Sequence, residues 1–267
     1  LFDVTLFSDG SNIQRKPKGH LYLYPLIAIA AMLAIVFVMD LPHMHKPKQQ
    51  LSQTIRIPAG QRAQMDLPDG SIVWLNSQTT LTYDENFGKK DRKVTLDGEA
   101  YFEVAHNKEI PFYVQTENIK VQVTGTKFDV CSYKGSNSFI ARLIEGSINL
   151  LTNNAKEEKP ITSLTKGKYF SMENGKYKTG EMSSNNALAW MQGIYYFDDV
   201  PFKELLDKIA LYYNYKITVK NPKILENYRC TGKFKDLDGI EHILKVIQKD
   251  HPFKYNIDNE HNKITIE

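Results

Sequence analysis

The sequence predicts a membrane-anchored, mainly β protein that ends in an α+β module, and three observations predict it. An uncharged apolar run stands near the start. A long middle region alternates short strand-like runs with turn signals. From residue 182 the pattern changes to helical periodicity between short strands. The division that follows is a short stub over 1–20, a transmembrane helix over 21–39, a linker over 40–53, an all-β domain over 54–181 and an α+β module over 182–267.

Residues 21–39 read LYLYPLIAIAAMLAIVFVM, without a charge. About 20 apolar residues at 1.5 Å each cross a hydrocarbon core of ~30 Å. Tyr22 and Tyr24 suit the membrane interface, and Pro25 falls in the first turns, where a missing N–H costs least. A buried core helix would show a polar face. A cleaved signal peptide would have a shorter apolar run and a small-x-small site, which Val38-Met39-Asp40 does not offer. Arg15, Lys16 and Lys18 precede the run, so the positive-inside rule places the stub in the cytoplasm and everything after Asp40 beyond the inner membrane. In the linker, His43 and His45 form an H-x-H pair with no further ligands nearby, so a metal is not expected there.

The all-β domain, a sandwich or a roll, is read from its runs in order. Residues 62–67 lead into the turn Pro68-Asp69-Gly70-Ser71 and the run 72–75, proline presetting φ and glycine accepting positive φ. Residues 93–96 meet a turn at Asp97-Gly98, then 100–104 form another strand. Further strands are expected over 112–116, 119–124, 128–133, 139–144 and 147–151, the last two joined at Glu145-Gly146 as a tight hairpin. Residues 153–160 are a polar loop, and 168–172 with 176–181 close the domain as a hairpin around Asn174-Gly175.

In the last part, 187–191 suggests a short helix and 193–197 (GIYYF) a strand. An amphipathic helix follows over 201–213, with Phe202, Leu205, Leu206 and Ile209 as its apolar stripe and Glu204 paired to Lys208 on the wet side. Residues 216–219 are a strand. The unit then repeats: a strand over 228–234, a helix with Ile240, Ile243, Leu244 and Ile247 at helical spacing, and paired strands over 253–257 and 263–266. Asp238 with Glu241 three residues on has the form of a capping box. The reading is two βαβ-like units in tandem.

Composition excludes several functions. Net charge is +3, the charges are scattered, and no basic strip is interleaved with aromatics, so no direct nucleic-acid partner is expected. Cys131 and Cys230 are too few for a disulfide framework and too far apart for zinc; they either bridge or remain as two buried thiols. No G-x-S-x-G, H-E-x-x-H, P-loop or C-x-x-C occurs, so no enzyme activity and no cofactor are expected. Glu99 and Glu103 flank Tyr101 on one strand, but they lie ~13 Å apart if extended, too far for a glycosidase pair, and read as a solvated face. Asp236, Asp238 and Gly239 have the wrong spacing for a calcium loop.

The order of motifs resembles the FecR family of membrane regulators. The matching pieces are Pro58-Ala59-Gly60-Gln61, Leu67-Pro68-Asp69-Gly70-Ser71 and Val73-Trp74-Leu75-Asn76, then Leu81-x-Tyr83. Next come Arg92-Lys93-Val94-x-Leu96-x-Gly98-Glu99-Ala100-Tyr101-Phe102-x-Val104 and Phe112-x-Val114-x-Thr116. Val121-x-Val123-x-Gly125-Thr126-x-Phe128-Asp129-Val130 completes the core. Trp190-x-x-Gly193 and Thr231-Gly232-x-Phe234 are similar to the family's C-terminal signalling module. The resemblance implies an anti-sigma regulator anchored once in the inner membrane, its C-terminal domain periplasmic. That domain would contact the signalling domain of an outer-membrane TonB-dependent receptor. The signal, crossing with proteolysis, would free or activate an extracytoplasmic-function sigma factor. Strand addition suits small βαβ modules, which makes Tyr195, Phe197, Tyr228, Thr231 and Phe234 the candidate partner-binding residues. Family members carry a helical sigma-binding region before the membrane, whereas 20 residues precede Leu21 here and the chain opens on Leu1. Either the start lies further upstream, or the chain is an anchored periplasmic binding module without direct sigma binding.

Overall fold

The computed structural model describes residues 23–44, 51–89, 91–153, 158–182 and 184–267. The N-terminal stub, His45 and half of the polar loop at 153–160 lie outside the described residues. One helix, α1 (Leu23–Met44), stands where the apolar run predicts it and continues through Pro42 to Met44, five residues beyond the expected end. Ile27, Ile29, Met32, Leu33, Ile35, Val36 and Phe37 on it are each more than half exposed. Among the described residues no helix is long and apolar enough to be assigned as a membrane span.

Residues 50–267 form a separate compact unit. Its first part holds, among the described residues, β1 (Ser52–Arg56), β2 (Ala63–Asp66), β3 (Ile72–Leu75), β4 (Thr80–Asp84), β5 (Arg92–Glu103), β6 (Phe112–Gln115) and β7 (Ile119–Val123). They continue as β8 (Lys127–Ser132), β9 (Ser138–Glu145), β10 (Ser147–Thr152), β11 (Pro160–Thr165), β12 (Lys168–Glu173) and β13 (Lys176–Glu181). The sheet runs β11-β10-β7-β6-β5-β8-β9-β12-β13, with β4 and β3 also on β5, β1 on β4 and β2 on β3.

The sheet curls over at β5. Residues 92–97 pair with β4 and β6, whereas residues 98–103 pair with β3 and β8. The expected turn at Asp97-Gly98 is therefore a bend within one 12-residue strand. Gly98 has φ 133°, and a Cβ there would sit 2.4 Å from Thr79 Oγ1. Only glycine fits so close an approach at that dihedral. The two layers enclose a core in which Phe102, Phe112, Phe128, Phe139 and Phe170 are at most 1% exposed, each burial contributing roughly 2–3 kcal/mol. Arg92, also buried, ties the layers together at one end. Its Nη1 donates to Asp69 Oδ2 (3.0 Å) and to the Ala105 carbonyl (2.7 Å), and its Nε to the Ile110 carbonyl (2.7 Å). Asp69 accepts in turn from the Ser71 backbone N–H and hydroxyl, and this network explains the Leu-Pro-Asp-Gly-Ser turn.

The second part holds the 3-10 turn Asn185–Gln192, β14 (Ile194–Pro201), α2 (Phe202–Tyr213), β15 (Lys216–Val219), β16 (Arg229–Lys235), α3 (Gly239–Asp250), β17 (Tyr255–Asp258) and β18 (Lys263–Ile266). Both helices bury the predicted stripes, joined on α2 by Tyr212. The βαβ order is present, but the flanking strands of each unit part company. β14 pairs antiparallel with β16, while β15 pairs parallel with β18, which also holds β17. The capping box does not form. Asp238 has helical dihedrals and makes no side-chain cap bond, because a 3-10 turn at Asp236–Asp238 leads into α3; Glu241 instead pairs with Lys245 (2.8 Å).

Candidate functional site

Strands bury one face in the first core, so residues in between point the other way. Register places Trp74, Tyr101, Asp129, Arg142 and Tyr169 side by side across β3, β5, β8, β9 and β12. On an isolated domain this row would meet water. Here the second part packs on it: Tyr101 belongs to the second core with Trp190, Tyr195, Phe197 and Tyr212, and Trp74 and Ile144 pack against that core. The solvated face expected around Glu99 is thus a seam. Glu99 is 4% exposed and its Oε2 accepts from Asn76 Nδ2 at 2.6 Å, while Glu103, further along, pairs with Lys127 at 3.3 Å.

The seam carries a buried charge cluster. Arg142 Nη1 donates to Asp129 Oδ2 at 2.6 Å and lies 3.7 Å from Glu99 Oε1. Burial pushes the Asp129 carboxyl up to about 7, against the opposing pull of Arg142. The indole of Trp190 lies near enough to pull that pKa down, yet neither Trp190 Nε1 nor Asp129 Oδ1 has a hydrogen-bond partner of standard geometry. The two groups make a polar contact that falls short of a full hydrogen bond. Beside this cluster lies a cavity of about 80 Å³, lined by Glu99, Cys131, Arg142, Trp190, Tyr195 and Tyr212 among others. A neighbouring groove of about 220 Å³ shares Arg142, Asn186, Ala187 and Tyr196 with it.

Donors of the first part also finish α2. The last carbonyls of a helix have no partner within it, and here Gly60 N and Ser77 Oγ both donate to the Tyr212 carbonyl at 3.0 Å, while Gln78 Nε2 donates to Leu211. Arg62 Nη2 reaches Asp236 Oδ2 at 2.6 Å. That pair crosses Gly193, where φ is 76° and a Cβ would stand 2.9 Å from both partners. The Trp190-x-x-Gly193 pattern thus places an indole over Asp129 and a bare backbone under the latch.

The five candidate partner-binding residues divide. Tyr195 stacks on Tyr212 at 4.3 Å, and Phe197 and Phe234 lie 6.1 Å apart, all three in the second core. Tyr228 is half-buried, stacked on His251 at 3.9 Å with its hydroxyl on Asp250. Thr231 is exposed and its Oγ1 accepts the Asp199 N–H at 2.9 Å. β14 and β16 bring Tyr195, Phe197, Thr231 and Phe234 onto one ribbon with Tyr228 just before it, but of the five only Thr231 is exposed, in the row of exposed β16 residues that also holds Arg229, Lys233 and Lys235, none of them among the candidates. Asp129 and Arg142 were legible only as opposite charges on neighbouring strands. Cys131 and Cys230 are free thiols, not a bridge, and burial raises the pKa of both.

A family model described as FecR protein matches residues 53–149, and one described as FecR, C-terminal, matches residues 194–266. Together they span more than half the chain. The chain belongs to the FecR family. Proteins of this family are of a regulatory kind. The fold is shared with crystal structures of a candidate anti-sigma factor from Parabacteroides distasonis ATCC 8503, at 2.50 Å and 1.65 Å resolution. Each is 24% identical with a TM-score of 0.69, covering 98% of that chain and 81% or 80% of this one. No curated protein matches.

Proposed function

We propose that this FecR-family chain is an anti-sigma regulator, anchored once in the inner membrane, that relays a signal from an outer-membrane TonB-dependent receptor to an extracytoplasmic-function sigma factor. The observation that carries the reading is the seam. The FecR domain caps α2 and encloses the buried charge cluster against the C-terminal module, so a partner on the module acts on both parts.

The anchor is supported by α1. Its 22 residues extend ~33 Å at 1.5 Å each, it carries a single charge, Asp40, and its apolar side chains over 27–37 are exposed. An exposed apolar surface of that kind marks a membrane or partner contact. With Arg15, Lys16 and Lys18 on the cytoplasmic side, residues 50–267 are periplasmic. The module takes the receptor's signalling domain, and Tyr195, Phe197, Tyr228, Thr231 and Phe234 shape the ribbon that receives it.

The test has two arms. The full chain in nanodiscs is titrated with each TonB-dependent receptor signalling domain of its source organism, and sigma-dependent reporter activity is followed in cells lacking the chain. Saturable binding of one such domain, with a changed reporter, is expected. If no receptor domain binds and every reporter is indifferent to the chain, the reading is wrong. Carbonate extraction tests the anchor: the chain should stay in the membrane pellet and be released when residues 23–44 are deleted.

A further inference from the structure

The ribbon of β14 and β16 has two outer edges, and they differ. That of β14 is packed by the 3-10 turn Asn185–Gln192, and its Ile194, Tyr196 and Phe197 line the seam cavity. The second edge of β16 pairs with no strand among the described residues. An unpaired edge presents N–H and C=O groups that any extended chain can use, so what selects the partner is the side chains beside it.

Along β16 every second residue is exposed: Arg229, Thr231, Lys233 and Lys235. The alternation continues past the strand to Leu237, which is 92% exposed. Asp199 occupies Arg229 at 2.7 Å. Asp236 is turned away onto Arg62. Lys233 and Lys235 have no ion pair or side-chain hydrogen bond among the described residues, and the unpaired acids nearby are Asp198, in the β14 bulge towards the Thr231 end, and Asp238, beyond Leu237. Two uncompensated cations and an apolar tip therefore flank an open edge.

We propose that β16 is the docking edge of the module, and that it receives an extended segment of the partner protein with acidic side chains at alternate positions and an apolar residue that meets Leu237. The inference rests on the module being the receptor-contacting part and names the chemistry of that contact. Charge complementarity chooses the occupant. Opposed like charges on adjacent strands destabilise pairing, so the lysines turn away the β16 of a second copy, while carboxylates placed opposite them favour pairing and steer the encounter. The buried side chains of Tyr195, Phe197 and Phe234 then support the edge from beneath and need not be reached.

The experiment uses the full chain in detergent micelles and three labelled dodecapeptides alternating valine with glutamate, glutamine or lysine, read by fluorescence anisotropy at low ionic strength. The glutamate peptide should bind about tenfold tighter than the lysine peptide, and its binding should slow amide exchange over residues 230–235. Lys233→Glu with Lys235→Glu should invert the order; both side chains are exposed, and Lys233→Gln with Lys235→Gln should abolish the preference without reversing it. Equal affinity for the glutamate and lysine peptides would overturn the inference, as would protection confined to β15 or β17, or a dimer of the chain that protects the same amides. A receptor domain whose binding is unchanged by the Glu substitutions removes β16 and leaves the proposed function standing. An acidic peptide that binds β16 when no receptor domain does keeps the edge and removes the receptor.

Discussion

Asp129 gives the seam a dependence on pH whose direction is opposite to that of an ordinary surface carboxylate. In the folded chain burial raises its pKa from 3.8 to about 7. Between those values the folded state holds a proton that the unfolded state has released, so stability from this group is complete below about 4 and declines as pH rises to about 7. Over the window from pH 5.5 to 7.5 the linkage amounts to about 2 kcal/mol, at 1.36 kcal/mol per pKa unit. Asp129→Asn cannot ionise, and it keeps the size of the side chain opposite Arg142. Urea denaturation of the full chain in detergent, run at both pH values, should show the wild type losing about 2 kcal/mol on going to pH 7.5. Asp129→Asn should lose less than about 0.5 kcal/mol from the same linkage. All other ionisable groups are present in both proteins, so the difference isolates Asp129. A wild type that gains stability with rising pH relative to Asp129→Asn, or two parallel profiles, would refute the reasoning.

Three further outcomes are expected. Arg92→Met strips Asp69 of its cationic partner and takes a donor from three carbonyls, those of Ala105, Asn107 and Ile110, which should cost about 3–5 kcal/mol in thermal or urea unfolding. Gly193→Ala puts a Cβ 2.9 Å from both Arg62 and Asp236 at a left-handed dihedral; it should cost at least about 2 kcal/mol and speed proteolysis at the seam, whereas Gly175→Ala, equally left-handed but with open space around it, should not. Cys131 and Cys230 should both be titrated by a thiol reagent in denaturant and react slowly in the native chain, because burial disfavours both thiolates; a non-reducing gel should show no internal bridge.

Much of the fold follows from periodicity, and the departures have physical causes. The stripes of α2 and α3 are legible because a 3.6-residue period needs no knowledge of the partner surface. Strand β4, with the sequence TLTYD, alternates and could have been read, whereas the ends of β5 were separated by an Asp-Gly pair that looks like a turn. Whether such a pair turns or bends depends on Thr79, distant in sequence and only 2.4 Å from the missing Cβ. The capping box failed for a similar reason: the 3-10 turn needed to bring Asp236 to Arg62 uses up the residues that would have formed it. For the site, a strand whose second face is mixed in polarity reads as solvated. The Glu99 and Asp129 carboxyls sit at the seam because both face Arg142, and only the register shows that they do.

The same register says how a contact on the module would be felt in the FecR domain. β14 lies between the two proposed elements: one edge pairs with β16, and the side chains along the other line the cavity beside Arg142. Tyr195, on β14, stacks on Tyr212, whose carbonyl is held by Ser77 and Gly60 of the FecR domain. A displacement of the ribbon therefore strains hydrogen bonds that cap α2, and opening the seam would expose Asp129 to water, where a carboxylate ionises readily. Coupling requires two states that both sites bias. The closed seam, with its carboxyl held near neutrality, is one; an open seam with Asp129 solvated and ionised is the other. Occupancy of β16 and pH should then act on the same equilibrium, so that peptide affinity measured at pH 5.5 and 7.5 differs in the wild type and converges in Asp129→Asn, whereas a rigid seam would leave both affinities independent of that substitution.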